Sequence, residues 1–242
     1  MRMATLHKIE IAPNLVEKVY RNLLDAISEG TLAPGARITQ EDVAEQLAVS
    51  RQPVHQALNM LKADGFVVNA PGRGVLVAPL DANWLANVYQ VRGALEVLAA
   101  QLACAGNYTF DSDLMARGRK AARGKNISAM IEADMAFHSG IYAAANNPLI
   151  AQSALLHWRH IRRAMGAVLQ SAKLREAVWD EHESIARSIA AKDPVRAQAL
   201  MRAHGEQASL KLTQTLLALP AQTSLTTANA SLASANSSLA LA

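Results

Sequence analysis

The sequence predicts a mainly α protein in two parts: an N-terminal winged helix-turn-helix domain and a C-terminal all-α helical bundle. Three observations predict it. Half of the 242 residues are hydrophobic but only 4% are aromatic, which suits Ala/Leu-rich helix packing better than a β-sandwich. Near the N-terminus, two short segments of helical periodicity are joined by the tight connection "AVS" and followed by the hairpin-like run "FVVNAPGRGVLV". Beyond Pro79 the helical periodicity continues almost without interruption to Leu217.

The elements follow in order. Asn14 with Glu17 three residues on makes a capping-box pattern, and Leu15, Val19, Leu23 and Ile27 form one face of a helix that Gly30 ends. "TLAPGARI" is read as a turn through Pro34-Gly35. Thr39 and Asp42 open a short second helix with Val43, Ala44 and Leu47 inward. Ser50 is the expected cap of a third helix, with Pro53 tolerated in its first turn and Asp64-Gly65 as its end. "FVVN", the turn "APGRG" and "VLV" are expected to form a two-stranded wing. After Pro79 and Asp81, helices are expected near 82–105, 110–123, 127–145, 148–170, 173–191 and 194–217. Asn146-Asn147-Pro148 and Asp193-Pro194 are the clearest breaks. The domains are therefore read as 1–79 and 80–218. Residues 219–242, small, hydroxyl and amide side chains with leucine and no charge, are read as a disordered tail.

Composition excludes several classes. A single cysteine, Cys104, rules out an intrachain disulfide and a multi-thiolate metal site. No leader-like opening and no run of 18 apolar residues occurs, so a soluble, cytoplasmic protein without a membrane role is expected. The net charge is +4, yet residues 1–80 carry eight Lys/Arg against eight Asp/Glu. Any DNA affinity of the first domain must therefore come from local arrangement rather than bulk charge.

That arrangement lies in "VSRQPVHQALNML". Val54, Leu58 and Leu61 fall on one helical face, and Arg51, Gln52, His55, Gln56 and Asn59 on the other. An α-helix fits the major groove with its N-terminal residues nearest the base edges. Arg51 suits guanine O6 and N7, Gln52 suits adenine, and His55 or Gln56 reaches bases or phosphate one turn on. Ser50 at the helix start suits phosphate, and Arg73, flanked by Gly72 and Gly74, suits the backbone or minor groove at the wing tip. A merely solvated face is the competing reading of the helix alone.

In the second domain, apolar stripes carry residues that do not belong in an apolar core. Asp134 and His138 share a face with Ile131, Met135, Ile141 and Tyr142; His182 lies on the line Val178, Ile185, Ile189; His204 lies with Met201 and Ala208. A divalent cation ligated by all four would remove the cost of burying them. Individually, each histidine also reads as an ordinary core or surface residue. His157 and His160, with Trp158 and Arg159 around them, are read as surface. Arg92 sits on the stripe Leu85, Val88, Leu95, Ala99, Leu102 and must find an anion. Two readings stand equal: an ordinary i, i+4 pair with Glu96, or a clamp for the carboxylate of a bound acid. The basic run "ARGRKAARGK" is read as a solvated helix end, with an auxiliary phosphate contact as the alternative.

"GTLAPGARI", "EDVAEQLAVSRQPVHQALNMLKADGFV" and "GRGVLV" resemble the DNA-binding domain of the GntR family of bacterial transcription regulators, from about Leu15 to Val77. His55 and Glu41 stand where that family commonly has Arg, so the operator sequence is not carried over; Arg51 matches and inherits a DNA-contact role. "DMAFH", "DEHESI" and "ALMRAH" resemble the FCD effector-binding domain of the FadR-type branch, over roughly Ala82 to Leu217. The resemblance implies a divalent metal ion, Zn, Ni, Mn or Fe, held by Asp134, His138, His182 and His204. It further implies an acidic effector near Arg92 and, more weakly, Asn146. The expected protein is a non-enzymatic, ligand-responsive regulator, a repressor that binds double-stranded operator DNA as a homodimer and responds to a small organic acid. The alternatives are a metal-dependent hydrolase or isomerase with a winged domain, and a regulator whose metal is purely structural.

Overall fold

The computed structural model describes residues 15–168 and 176–218. It divides into two compact units, with the change at Ala78–Pro79. The expected cap at Asn14, the segment 169–175 and the tail 219–242 lie outside the described residues.

The first unit contains α1 (Leu15–Ser28), β1 (Arg37–Ile38), α2 (Gln40–Gln46), α3 (Arg51–Ala63), β2 (Val67–Asn69) and β3 (Val75–Val77). Val19, Tyr20, Leu23 and Ile27 of α1 pack with Val54, Ala57, Leu58 and Leu61 of α3, and with Phe66, Val67 and Val77. Leu15, expected to start the buried stripe, is exposed at the helix end, and Tyr20 and Leu24 widen the stripe instead. Thr39 caps α2 by accepting from the Asp42 amide at 3.2 Å. Ser50 has the extended backbone of a cap before α3, but its side chain makes no capping hydrogen bond. The connection between α2 and α3 turns at Ala48, whose φ of 50° is unusual for a residue with a Cβ.

The wing differs from its expectation. It is three-stranded, in the order β1-β3-β2, because Arg37 and Ile38 pair antiparallel with Leu76 and Val75. The stretch read as a pure turn thus ends in a strand that covers the edge of β3. Gly74 makes the close approach possible: its φ is +85°, and a Cβ there would meet the Ile38 carbonyl oxygen at 2.4 Å. The Arg37 guanidinium donates to the carbonyls of Arg73 (2.6 Å) and Pro71 (3.1 Å), fastening the wing tip.

The second unit is all helical: α4 (Ala82–Ala105), α5 (Ser112–Arg123), α6 (Ile127–Ala144), α7 (Pro148–Val168), α8 (Ala177–Ala190) and α9 (Pro194–Ala218). Side chains of Asp81, Asp111 and Asn126 cap α4, α5 and α6 by accepting from first-turn amides. α4 is the central helix, lying along α9 and also packing on α6, α7 and α8. Its buried face, with Leu85, Val88, Ala99 and Ala103, meets Phe137, Ile141, Trp158, Ile185, Ile189 and Met201. None of the helices among the described residues is long and apolar enough to cross a membrane.

Candidate functional sites

On α3 the two faces separate as the spacing requires. Pro53, Val54, Ala57, Leu58 and Leu61 are buried, while Arg51, Gln52, His55, Gln56 and Asn59 are exposed, as are Ser50 and Arg73. Two of the polar residues already have local partners. Arg51 is ion-paired with Glu41 of α2, and the His55 ring lies 3.4 Å from the Asn59 amide nitrogen. Both members of the Arg51–Glu41 pair are about two-thirds exposed, so the pair is screened by water and leaves the guanidinium free to exchange partners.

In the second unit, α6, α8 and α9 bring His138, His182 and His204 together. One ring nitrogen from each lies within 4.8 Å of the others, and all three residues are buried. His182 is clamped by aromatic rings: Phe137 stacks on it at 4.0 Å and Trp179 meets it edge-on at 4.8 Å. Trp179 comes this near because α5 presents Gly118, where even a Cβ would sit 2.0 Å from the indole. Asp134, only 14% exposed at its side chain, approaches the same ring, with Oδ1 3.3 Å from His182 Nε2.

The electrostatics favour the neutral forms of His138 and His182. Burial pushes His182 well below the usual histidine range, and His204, His138 and Arg92 push in the same direction. Burial also lowers His138, against the opposing pull of Glu96. Both ring nitrogens of His138 and of His182 lack a partner in hydrogen-bond geometry, although they are shielded from water. Orphaned, neutral, buried imidazole nitrogens beside a carboxylate are suitable donors for a divalent cation. Two nitrogens sharing a tetrahedral ion at ordinary bond lengths stand about 3.4 Å apart, so the cluster must contract by at most about 1.4 Å. Rotation of the rings supplies a movement of that size. The three imidazoles therefore fit the group, while Asp134 reaches His182 but stands outside the set of three whose ligand atoms lie within 4.8 Å of one another.

Arg92 has found its anion. Its Nη2 lies 2.8 Å from Glu96 Oε1, with both side chains at 3% exposure or less, and its guanidinium lies over the Trp158 ring at 4.2 Å. Burial would lower the Arg92 pKa, but Glu96, Tyr142, Tyr89 and Asp134 together outweigh it and hold it above its usual value. Burial would likewise raise Glu96, yet Arg92 and then His138 hold that carboxyl far below the usual range. Of the two readings of Arg92, the structure contains the ion pair with Glu96; Arg92 Nε and Nη2 are buried without an aligned hydrogen-bond partner, so the pair does not use up the donors a bound carboxylate would need. Asn146 is also accounted for locally. It is exposed, just past the end of α6, with the positive φ of 51° that ends helices at this position.

Other expectations change. His160 is buried rather than at the surface, edge-on to Trp84 at 6.0 Å. Glu181, which lies off the inward stripe of its own helix, nevertheless reaches His204, with Oε2 2.8 Å from Nδ1. The basic run of α5 ties that helix to its neighbour. Arg119 bridges Asp180 (2.7 Å) and Glu183 (2.6 Å), and Arg123 pairs with Glu176 at 3.2 Å. The site residues that sequence reasoning missed are Glu181, Phe137 and Trp179. Their roles arise between helices, and only the placement of Glu96 one turn after Arg92 was visible as a spacing.

The two units match two family models. Residues 15–77 match the bacterial regulatory proteins of the gntR family, and residues 87–207, half of the chain, match the FCD domain. The chain belongs to the GntR family, with an FCD domain as its second unit. It is a DNA-binding transcriptional regulator, and its families and relatives are regulators rather than enzymes. It is 27% identical over 189 residues to the HTH-type transcriptional regulator McbR of Escherichia coli K12, covering 74% of this chain and 84% of that protein. It is 42% identical over 71 residues to the Nta operon transcriptional regulator of Aminobacter aminovorans, a match spanning 29% of this chain and 34% of that one. Among solved structures, E. coli McbR/YncC superposes with a TM-score of 0.70 at 23% identity, covering 83% of this chain and 97% of that one. A GntR regulator from Rhodococcus sp. RHA1 superposes with a TM-score of 0.66 at 24% identity, covering 81% and 96%. At these identities the likeness establishes the fold alone.

Proposed function

We propose that this GntR/FCD regulator is a repressor that binds a two-fold operator as a homodimer and is controlled by a small organic acid bound at a divalent cation. Residues 1–79 are the DNA-binding domain and 80–218 the sensor. Asp134, His138, His182 and His204 hold the cation, and the acid's carboxylate occupies a coordination position that these four leave open. Arg92, which is also paired with Glu96, and more weakly Asn146 are the effector contacts of this reading. The observation that carries the sensing half is the group of three buried imidazoles beside Asp134, two of which, His138 and His182, have ring nitrogens without aligned partners. In the first domain, Arg51 and Gln52 read base edges, His55 and Gln56 contact bases or phosphate, and Ser50 and Arg73 contact the backbone. One short helix reads only a few base pairs, which favours a dimer on a pseudo-palindrome. Trp84, Val91 and Leu98, exposed at seven-residue intervals on α4, offer an apolar stripe that a second copy would cover.

A thermal-shift screen of small carboxylic acids, with and without added Zn2+, Ni2+ or Mn2+, tests the sensing half. A ligand at a hundred times its Kd stabilises by about 2.7 kcal/mol. For a chain of this size that is a rise of roughly 5–10 °C. The rise should require metal, disappear in His182→Ala, and be matched by release of operator DNA in a gel shift. If no acid acts in a metal-dependent way, the sensing half is lost. For the reader helix, Arg51→Ala should abolish sequence-specific binding while the fold and metal binding persist. Unchanged base preference would remove Arg51 from base reading.

A further inference from the structure

Glu96 touches three groups at once. It is 1% exposed on α4, and its Oε1 accepts the Tyr142 hydroxyl proton at 2.7 Å. The same oxygen stands 2.6 Å from His138 Nδ1 and 2.8 Å from Arg92 Nη2. The Tyr142 oxygen in turn accepts from Trp158 Nε1 at 3.3 Å, which fixes the sense of the chain: Trp158 to Tyr142 to Glu96. Every group that faces Glu96 therefore meets a pure acceptor, because an ionised carboxylate has no proton to give.

That constrains His138. A neutral imidazole carries one ring proton, and the nitrogen facing a carboxylate must carry it. The ring needs a small rotation to align that N–H, since 2.6 Å is hydrogen-bonding distance but the present angle is off line. With the proton on Nδ1, the lone pair is on Nε2. An isolated histidine side chain favours the opposite tautomer, so the arrangement is imposed by the protein. His204 repeats the pattern, with Nδ1 2.8 Å from Glu181 Oε2. Arg92 cannot shed its charge, so it keeps Glu96 ionised without touching the histidines itself.

We propose that Glu96 is the positioning residue of the cation site: it selects the Nδ1–H tautomer of His138 so that Nε2 faces the ion, and Arg92 holds the Glu96 carboxylate in place. This rests on the cation reading above. Carboxylates behind ligating histidines commonly raise metal affinity 10–100-fold.

Removing one member of the Arg92–Glu96 pair would strand the other charge in the core, so the variants change both. In metal-free Arg92→Met/Glu96→Met, 15N NMR should show His138 protonated on Nε2, and isothermal titration with Zn2+ should show affinity reduced 10–100-fold. Arg92→Met/Glu96→Gln, whose amide oxygen still accepts, should restore the Nδ1–H tautomer and most of the affinity. An unaltered tautomer and wild-type Zn2+ affinity in the Met/Met variant would overturn the proposal, as would failure of Gln to rescue. If the Met/Met variant does not fold, the wild-type protein decides alone: Nε2–H in the metal-free state refutes the proposal, and Nδ1–H supports it. A wild-type protein that binds no Zn2+ would refute the cation reading instead, while the tautomer comparison still tests Glu96.

Discussion

Substituting Gly118 by alanine sets helix propensity against packing, and the structure decides the outcome. Gly118 is buried within α5, so propensity alone predicts that alanine stabilises by about 1 kcal/mol. The new Cβ, however, would lie 2.0, 2.1 and 2.3 Å from three atoms of the Trp179 ring, where ordinary carbon contacts are about 3.5–4.0 Å. Something must move by about 1.5 Å, and Trp179 is 3% exposed, with its other contacts in the core. Overpacking of this kind costs about 1–3 kcal/mol, and with a rigid indole the upper end applies. The net effect is a destabilisation of about 1–2 kcal/mol, or a Tm lowered by roughly 2–8 °C. Because Trp179 also meets His182 edge-on at 4.8 Å, the displaced indole should loosen the cation site, so Zn2+ affinity should fall in the same variant. Thermal melting followed by tryptophan fluorescence, with Zn2+ titration, measures both. A Gly118→Ala protein that melts above wild type would show that propensity wins and that Trp179 does not press on α5.

Three further outcomes are expected. Ala48→Gly, at φ 50° in the turn before α3, should raise stability by about 0.5–1 kcal/mol, since the Cβ strain disappears; chemical denaturation of the isolated variant against wild type measures it. Arg37→Met removes two donors to the wing carbonyls and should weaken operator binding several-fold while leaving base preference unchanged; a fluorescence-anisotropy titration over a randomised operator set separates the two. Leu98→Glu puts a charge in the exposed α4 stripe and should shift the protein toward monomer in sedimentation velocity; an unchanged mass would move the pairing surface elsewhere.

The legible parts of the molecule were those governed by one helix. Exposed Gln52, His55 and Gln56 opposite buried Val54, Leu58 and Leu61 follow from a 3.6-residue period, and no tertiary information is needed. The bounds of α4 follow from Asp81 as a cap and Gly106 as a stop. The wing was read as two strands because β1 has two residues, too few for a periodic signal, and its existence depends on β3 being nearby. In the site, Asp134 and His138 share a face by spacing, but the contact of Glu181 with His204 joins α8 to α9. Glu181 lies about 100° away from His182 around its helix, so a reading of α8 alone turns it to solvent, while the neighbouring helix brings a partner to it. His160 follows the same logic: its burial comes from tertiary packing, and one ring it meets, Trp84, lies on another helix.

The buried polar groups of the second unit fall into two kinds, and the distinction separates what the fold completes from what it leaves open. Arg92 and Glu96 neutralise each other at 2.8 Å and Glu96 also accepts from Tyr142, while Arg92 Nε and Nη2 still lack an aligned hydrogen-bond partner. Replacing both charges with apolar side chains of similar volume removes the ion pair at little cost, as is common for buried pairs, but leaves the Tyr142 hydroxyl without its acceptor. His138 and His182 are different: fully buried, held neutral by burial, and left with ring nitrogens that no protein donor or acceptor meets in good geometry. A fold that only needed to fill this space would place leucine or phenylalanine there, because an unsatisfied buried polar atom costs about 1–3 kcal/mol. Three imidazoles and Asp134 on α6, α8 and α9 are stable together when something electron-poor sits among them. A cation there would remove the cost of the unpaired nitrogens and tie three helices to one point. On the proposed reading, an acid bound to that cation would act on all three helices at once, which is the mechanical requirement for a sensor domain.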